Sequence, residues 1–328
     1  MRVTQNQMTR LYLKNSNTAL NNMNKINNRV LTQRKFTRAS EDSVGAAKAL
    51  IIRRNLEKNE MYSNNIETAE GIYSTAEKAL LSISSVSTTI GDSIIQGANG
   101  TSGEDEKKII ANQIRNLAKE MTTQINSEYA DRKLFGGTNN GATPFVYDEA
   151  TKTLTYNGVD INSATNLSDF PKTADISLDV GLGVQFDADG NVDKQTVMNI
   201  ALNGAEILGY GTDADGDPNN LIALAYKAAD ALENNNSGEA LNLLEKINTS
   251  KSKLMNSITN LGNQQQSVEY AKSRIENDDF SLKTAQQSTE GVNLAEEITS
   301  LKVAEMAYNA TLSMGTKLIP LSIFDYMK

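Results

Sequence analysis

The feature that most restricts this chain is a narrow apolar stripe that occurs once in each half. Ile66, Ala69, Tyr73, Ala76, Leu80, Ile83, Ser87, Ile90 and Ile94 alternate by three and four residues over about four heptads. Much further along, Leu244, Ile247, Leu254, Ile258, Leu261, Val268, Ile275 and Leu282 keep one heptad frame, with Lys251, Gln265, Lys272 and Asp279 at polar seam positions. A helix cannot bury such a stripe alone, so the two stretches are expected to pair with each other inside one chain. Composition agrees: 39% of residues are apolar, yet 5% are aromatic and none is Trp. Seams filled by Ala, Leu, Ile and Met suit such a chain better than one broad core.

The extreme ends repeat the pattern more weakly. A helix is expected from about residue 5 to residue 33, with Met8, Tyr12, Asn15, Ala19, Met23, Ile26 and Val30 on one stripe. Residues 34–39 break it. Ser40 is read as the N-cap of the next helix, ahead of Glu41 and Asp42, whose charges favour a helix amino terminus. A last amphipathic segment carries Leu294, Ile298, Leu301, Tyr308, Leu312 and Ile319. Polar residues in these terminal seams weaken a free-standing core, so the ends are expected to pack between subunits.

Between the stripes the character changes. Residues 97–103 are a glycine-rich break, and a third helix with Ile110, Ile114, Leu117, Met121 and Ile125 on one face is expected to end before Gly136-Gly137. Residues 145–147 and 153–156 flank a turn, Asn157-Gly158 signals another, and residues 176–180 and 184–186 read as strands. Helix resumes near Asn219, with a break at 234–238. The expected fold class is mainly α: a long antiparallel helical bundle or coiled coil formed by the N- and C-terminal segments, with a small β-rich central insert. Residues 1–40 and 290–328 are expected to form a terminal assembly domain, 41–137 and 216–289 a helical rod, and 138–215 the insert.

The chain has no Cys and no His, which excludes thiol nucleophiles, His-based triads and zinc fingers. Gly181-Leu182-Gly183 lacks the third glycine of a dinucleotide loop, because Phe186 stands there. Asp187-Ala188-Asp189-Gly190 and Asp213-Ala214-Asp215-Gly216-Asp217 place glycine fourth, where a calcium loop needs it sixth, so solvent-facing turns are favoured over calcium. The pairs Glu41-Asp42, Asp278-Asp279 and Glu296-Glu297 are adjacent on helices and do not converge on a bond. No catalytic residue, cofactor or metal is expected. Residues 1–60 carry a charge balance of +8 and residues 138–240 one of −12. The basic end lacks stacking aromatics, so no nucleic-acid binding is expected. Neither a secretory leader nor a membrane insertion is expected from the apolar runs present.

Met1-Arg2-Val3-Thr4 opens a long helix, and Arg38-Ala39-Ser40-Glu41-Asp42-Ser43-Val44-Gly45 is similar to the arginine–acidic pair–small residue segment of the flagellin family. Leu134-Phe135-Gly136-Gly137-Thr138 resembles its step into a variable region, and Asn293-Leu294-Ala295-Glu296-Glu297-Ile298 with Ala307-Tyr308-Asn309-Ala310 its closing helix. The ending Leu321-Ser322-Ile323-Phe324-Asp325-Tyr326-Met327 and the insert from Phe145 to Gly158 are nearer to the branch that joins hook to filament than to filament flagellin, which stays as the alternative. A coiled-coil scaffold outside the flagellum is a third reading. The resemblance implies an extracellular, non-enzymatic ring subunit exported unfolded by the flagellar type III apparatus. Its implied partners are copies of itself, a hook-side junction protein, filament flagellin and an export chaperone at the carboxy-terminal helix. The terminal helices would form an inner tube and the insert would face outward. Assembly contacts are then expected at Met8, Tyr12, Ala19, Met23, Ile26, Val30, Arg38, Ser40, Glu41 and Asp42. At the other end they are expected at Leu294, Ile298, Leu301, Tyr308, Leu312, Ile319 and Phe324.

Overall fold

The computed structural model describes residues 5–99, 103–187, 190–193 and 196–318. Its long helices are α1 (Gln5–Thr32), α2 (Ser43–Ala98), α3 (Glu104–Ile125), α6 (Ser237–Glu290) and α7 (Leu294–Leu318), with the short α4 (Gly204–Leu208) and α5 (Leu221–Glu233) between them. None of the described helices is long and apolar enough to cross a membrane. The chain divides into two compact units, residues 1–59 with 277–328 and residues 60–276, and both boundaries fall inside α2 and α6.

In the 60–276 unit the stripe from Ile66 to Ile94 is 2% exposed or less at every position. Opposite it, Ile247, Leu254, Ile258, Leu261, Val268 and Ile275 are all buried. The polar seam positions fix the direction and register of the pairing. Lys251 Nζ donates to Thr88 Oγ1 at 2.5 Å, Gln265 Nε2 to Glu77 Oε2 at 2.9 Å, and Lys272 Nζ to Glu70 Oε2 at 2.8 Å. As one helix number rises the other falls, so α2 and α6 run antiparallel. A slip along an otherwise uniform apolar seam would strand these polar groups, which is why a few of them specify one register. α3 and α5 close the bundle, where Arg115 meets Asp230 at 2.6 Å and also Glu233. Buried Asn220 starts α5: its Oδ1 accepts from the amides of Ile222 (3.0 Å) and Ala223 (3.2 Å), and its Nδ2 donates to the Gly209 carbonyl.

The insert contains small antiparallel sheets. β3 (Phe145–Asp148), β4 (Thr153–Tyr156) and β5 (Val159–Asp160) form one, with Phe145 opposite Tyr156. β6 (Ser177–Asp179) and β7 (Val197–Asn199) form another. Burial pushes the Tyr73 hydroxyl up to about 12, and it donates to the Asn199 carbonyl at 2.6 Å, tying β7 to α2.

Several sequence expectations are corrected. α3 ends before Gly136-Gly137 as expected, at Ile125, but the hairpin of β1 (Glu128–Tyr129) and β2 (Arg132–Lys133) that follows was missed. Its tight turn is made by Ala130 and Asp131, both at positive φ, so no glycine marked it in the sequence. Residues 184–186 are not a strand. Phe186 makes only an isolated bridge to Val192, and β6 pairs instead with β7, which the sequence reading missed. α2 begins at Ser43 and not after Ser40. Its N-cap is Asp42, whose Oδ1 accepts from the Gly45 amide at 2.8 Å.

Candidate assembly interface

In the unit formed by residues 1–59 and 277–328, α1 lies antiparallel on α7. Arg29 reaches Glu297 at 3.5 Å near one end. Near the other, Tyr12 lies so close to Gly315 that a Cβ there would sit 2.1 Å from its hydroxyl. On α1, Tyr12, Ala19, Met23, Ile26 and Val30 are half-buried, as are Leu301 and Tyr308 on α7. These are the sequence-predicted positions that the structure brings together. Met8, Leu294, Ile298 and Leu312 instead stay 41–43% exposed, although they share the predicted stripes. Leu11, Leu13, Leu31, Val303, Met306 and Met314 are more exposed still. An open groove of about 760 Å³ runs between the helices, lined by residues including Ala19, Ile26, Val303, Ala304 and Ala307. Two helices can cover only one face of each other. The apolar side chains left over on both helices therefore remain on the surface.

The turns at one end of this pair are held by a clamp that the sequence did not reveal. The Lys35 amide donates to the Glu290 carbonyl at 2.7 Å and the Val292 amide to the Gln33 carbonyl at 3.3 Å, with Arg34 bridged to Gly291. Glu290, its side chain 4% exposed, takes both ends of the Arg53 guanidinium, with Nε at 2.9 Å from Oε1, and lies 3.8 Å from Arg34 Nε. That hydrogen bond raises the Arg53 guanidinium above its ordinary value. Lys35 Nζ adds a bond to the Ser288 carbonyl at 2.7 Å.

Within the segment at residues 38–42, Arg38 and Ser40 are exposed. Glu41 folds back so that its carboxylate accepts from the Thr37 amide at 2.9 Å, which holds it below the usual carboxylate range. Asp42 caps α2. Phe36 is 7% exposed, and a Cβ on residue 45 would sit 2.3 Å from the Asp42 carboxylate and 2.9 Å from the Phe36 ring, so glycine is required there. Phe36, Gly45, Arg53 and Glu290 are thus structural members of the site that sequence reasoning missed. A lone aromatic in a polar break was a usable signal for Phe36. Nothing in one sequence pairs residue 53 with residue 290. Ile319 and Phe324 lie outside the described residues, as do Met1–Thr4 of the opening motif and the ending at residues 321–327.

The acidic turns resolve differently from a metal site. Asp213, Asp215 and Asp217 gather their carboxylates, but Lys246 Nζ stands among them at 2.6, 3.0 and 2.5 Å. The lysine supplies the countercharge, and its own protonation is favoured by the hydrogen bonds it donates to the Asp213 and Asp217 carboxylates. Asp187 closes a turn by accepting from the Asn191 amide at 2.8 Å; Ala188 and Asp189 lie outside the described residues.

Residues 3–140 match the family profile of the bacterial flagellin N-terminal helical region. The chain is 24% identical over 128 residues to flagellar hook-associated protein 3 of Salmonella typhimurium; the match covers 39% of this chain and 40% of the relative. A solved structure from Vibrio parahaemolyticus, described as a flagellar hook-associated protein, superposes with a TM-score of 0.59 at 16% identity, covering 76% of this chain and 100% of that one. FlgL of Xanthomonas campestris superposes at 0.54 with 16% identity, over 72% of this chain and 99% of the other. At such identities the structural likeness speaks to the fold. The sequence likeness is thus to the flagellin N-terminal helical region, over residues 3–140.

Proposed function

We propose that this chain is a structural subunit of the bacterial flagellum, one of a ring of identical copies that joins hook to filament. The observation that carries this reading is the α1–α7 pair, which leaves large apolar side chains such as Leu31, Met306 and Met314 on its surface. A solitary helix pair gains nothing from that surface, whereas a subunit packed among neighbours buries it. The likeness in sequence to a hook-associated protein supports the position at the junction. The other partners are a hook-side junction protein on one side and filament flagellin on the other. Before assembly, the apolar face of α7 is held by an export chaperone, and the subunit is then exported to the flagellum. Its work is assembly, with no catalytic step.

The test is deletion of the gene with imaging of cells and antibody labelling of isolated flagella. Loss of the filament with the hook retained, and label confined to the hook end, is expected. Label along the whole filament would make the chain a filament flagellin instead.

A further inference from the structure

Just beyond α3, the β1–β2 hairpin is built rigidly at some cost. Asn126 pins its base to β3, donating to the Phe145 carbonyl at 2.8 Å and accepting from the Phe145 amide at 2.9 Å. Tyr129 lies against Gly71 of α2, its hydroxyl 2.1 Å from where a Cβ would stand, so the hairpin and α2 meet almost backbone to ring. The turn holds Ala130 at φ +47° and Asp131 at φ +61°, a left-handed pair made without glycine or asparagine. Such a turn persists only where its surroundings fix it.

This anchored hairpin presents Arg132. The register places Tyr129 opposite Arg132, and strand alternation sets Ser127 on the same face. Arg132 is half-buried, and burial lowers its guanidinium from the ordinary value with no neighbouring charge to offset it. Its hydrogen bond is a single long one, 3.4 Å to the Gly137 carbonyl. Among the described residues no carboxylate lies within ion-pair reach of it; neighbouring Lys133 is the one that takes Glu128. The Ser127 hydroxyl is likewise buried with no partner among the described residues. By contrast, Arg115 in the same unit has two carboxylates and Arg274 has two carbonyls, at 3.0 and 2.6 Å. A partly desolvated guanidinium held on a strained, anchored turn is preorganised for an anion that its own chain does not supply.

The opposite end of α3 offers such an anion. α3 opens with Glu104, Asp105 and Glu106, all exposed, and none of them has an ion-pair partner among the described residues. The helix is 22 residues long, so roughly 33 Å separates its acidic start from its end at the hairpin. Copies laid head to tail along this helix bring unlike charges together, and such an arrangement is heterologous and propagates from subunit to subunit.

We propose that Arg132 is a subunit–subunit contact residue whose guanidinium takes a carboxylate from the acidic start of α3 in a second copy. The inference rests on the reading of this chain as a self-assembling subunit. Its primary test is nevertheless read in solution, so that absence from the flagellum would sink that reading and leave the contact to stand or fall separately.

The Arg132→Lys chain keeps the charge and offers an amine. Full-length protein, mixed as isotope-labelled and unlabelled chains at high concentration, is treated with a carbodiimide, which couples a carboxyl to an amine with loss of water. Mixed-isotope peptides joining the new lysine at position 132 to residues 104–106 are expected. Their absence, or coupling only within one chain, overturns the proposal. A charge reversal gives a second arm. Arg132→Glu is expected to lower self-association about tenfold without changing the thermal midpoint, and Glu104→Lys with Asp105→Lys in the same chain to restore it. Unchanged association in the single variant, or failure of the added lysines to rescue it, excludes these carboxylates as the partner. Arg132→Gln serves as the folding control, since it removes the charge without introducing a repulsive one.

Discussion

At the scale of single residues, the capping of α2 shows how a short polar run misleads. Ser40, Glu41 and Asp42 all carry side chains able to accept from a helix amino terminus, and spacing alone does not choose among them. The choice falls on Asp42, whose carboxylate packs directly over Gly45 beside the Phe36 ring, while Glu41 is taken up in a separate turn that it closes on Thr37. Asp42→Ala is therefore expected to cost about 1 kcal/mol and to speed hydrogen exchange at the Gly45 amide, while Ser40→Ala leaves both unchanged. Gly71 makes a steric prediction of the same kind. A methyl there collides with Tyr129, so Gly71→Ala should destabilise the protein by about 1–3 kcal/mol despite adding a better helix former. Chemical denaturation of the single variant, and of one with Tyr129→Phe added, checks whether the hydroxyl is the atom in the way.

At the scale of elements, two polar clusters decide how helices meet. Glu290 joins the turn after α1 to the end of α6, and removing it leaves two arginines facing an empty carboxylate site. Glu290→Ala should cost about 2 kcal/mol, below the range for fully buried pairs because Arg53 is half open to water. The loss should be concentrated at the Lys35 and Val292 amides, where hydrogen exchange reads it directly. Between α3 and α5, desolvation would raise the Asp230 carboxyl, but hydrogen bonds from Arg115 and Lys152 outweigh it and hold the group below the usual range. A carboxylate depressed in the folded state stabilises fully above its unfolded value and loses that contribution as the pH falls through the lower, folded one. Asp230→Asn is accordingly expected to lower stability at neutral pH by about 1 kcal/mol, the site being partly exposed, and to flatten the acid limb of a melting-temperature profile. An unchanged acid limb would assign that sensitivity to other carboxylates.

At the scale of the whole molecule, α7 carries two sets of large side chains in different surroundings: members of the predicted stripe that meet α1, and methionines outside that stripe that stay in solvent. Leu301 and Tyr308 face α1, whereas Met306 and Met314 are 63% exposed. Leu301→Ala with Tyr308→Ala should loosen the α1–α7 pair in the isolated protein, seen as faster proteolysis at both ends. Met306→Ser with Met314→Ser should leave isolated protein within about 0.5 kcal/mol of wild type yet reduce the fraction of cells bearing filaments. Equal loss of filaments with an equally loosened monomer would mean that the outward face is not a separate surface.

The sequence by itself determined the helical seams and their partnership. Heptad spacing is a local property, and a stripe such as Ile66–Ile94 states its own burial wherever its partner lies. It determined the β3–β4 hairpin too, because alternation and turn chemistry are also written locally. Only the tertiary structure decided which side chains at the ends face each other, since residues on an apolar face wider than one seam look alike until a neighbour covers some of them. It likewise decided the Arg53–Glu290 clamp, the Lys246 countercharge among three aspartates and the isolation of Arg132. Each of these depends on the distance between groups far apart in the chain. Residue type announces a charge, and only packing determines whether that charge is answered.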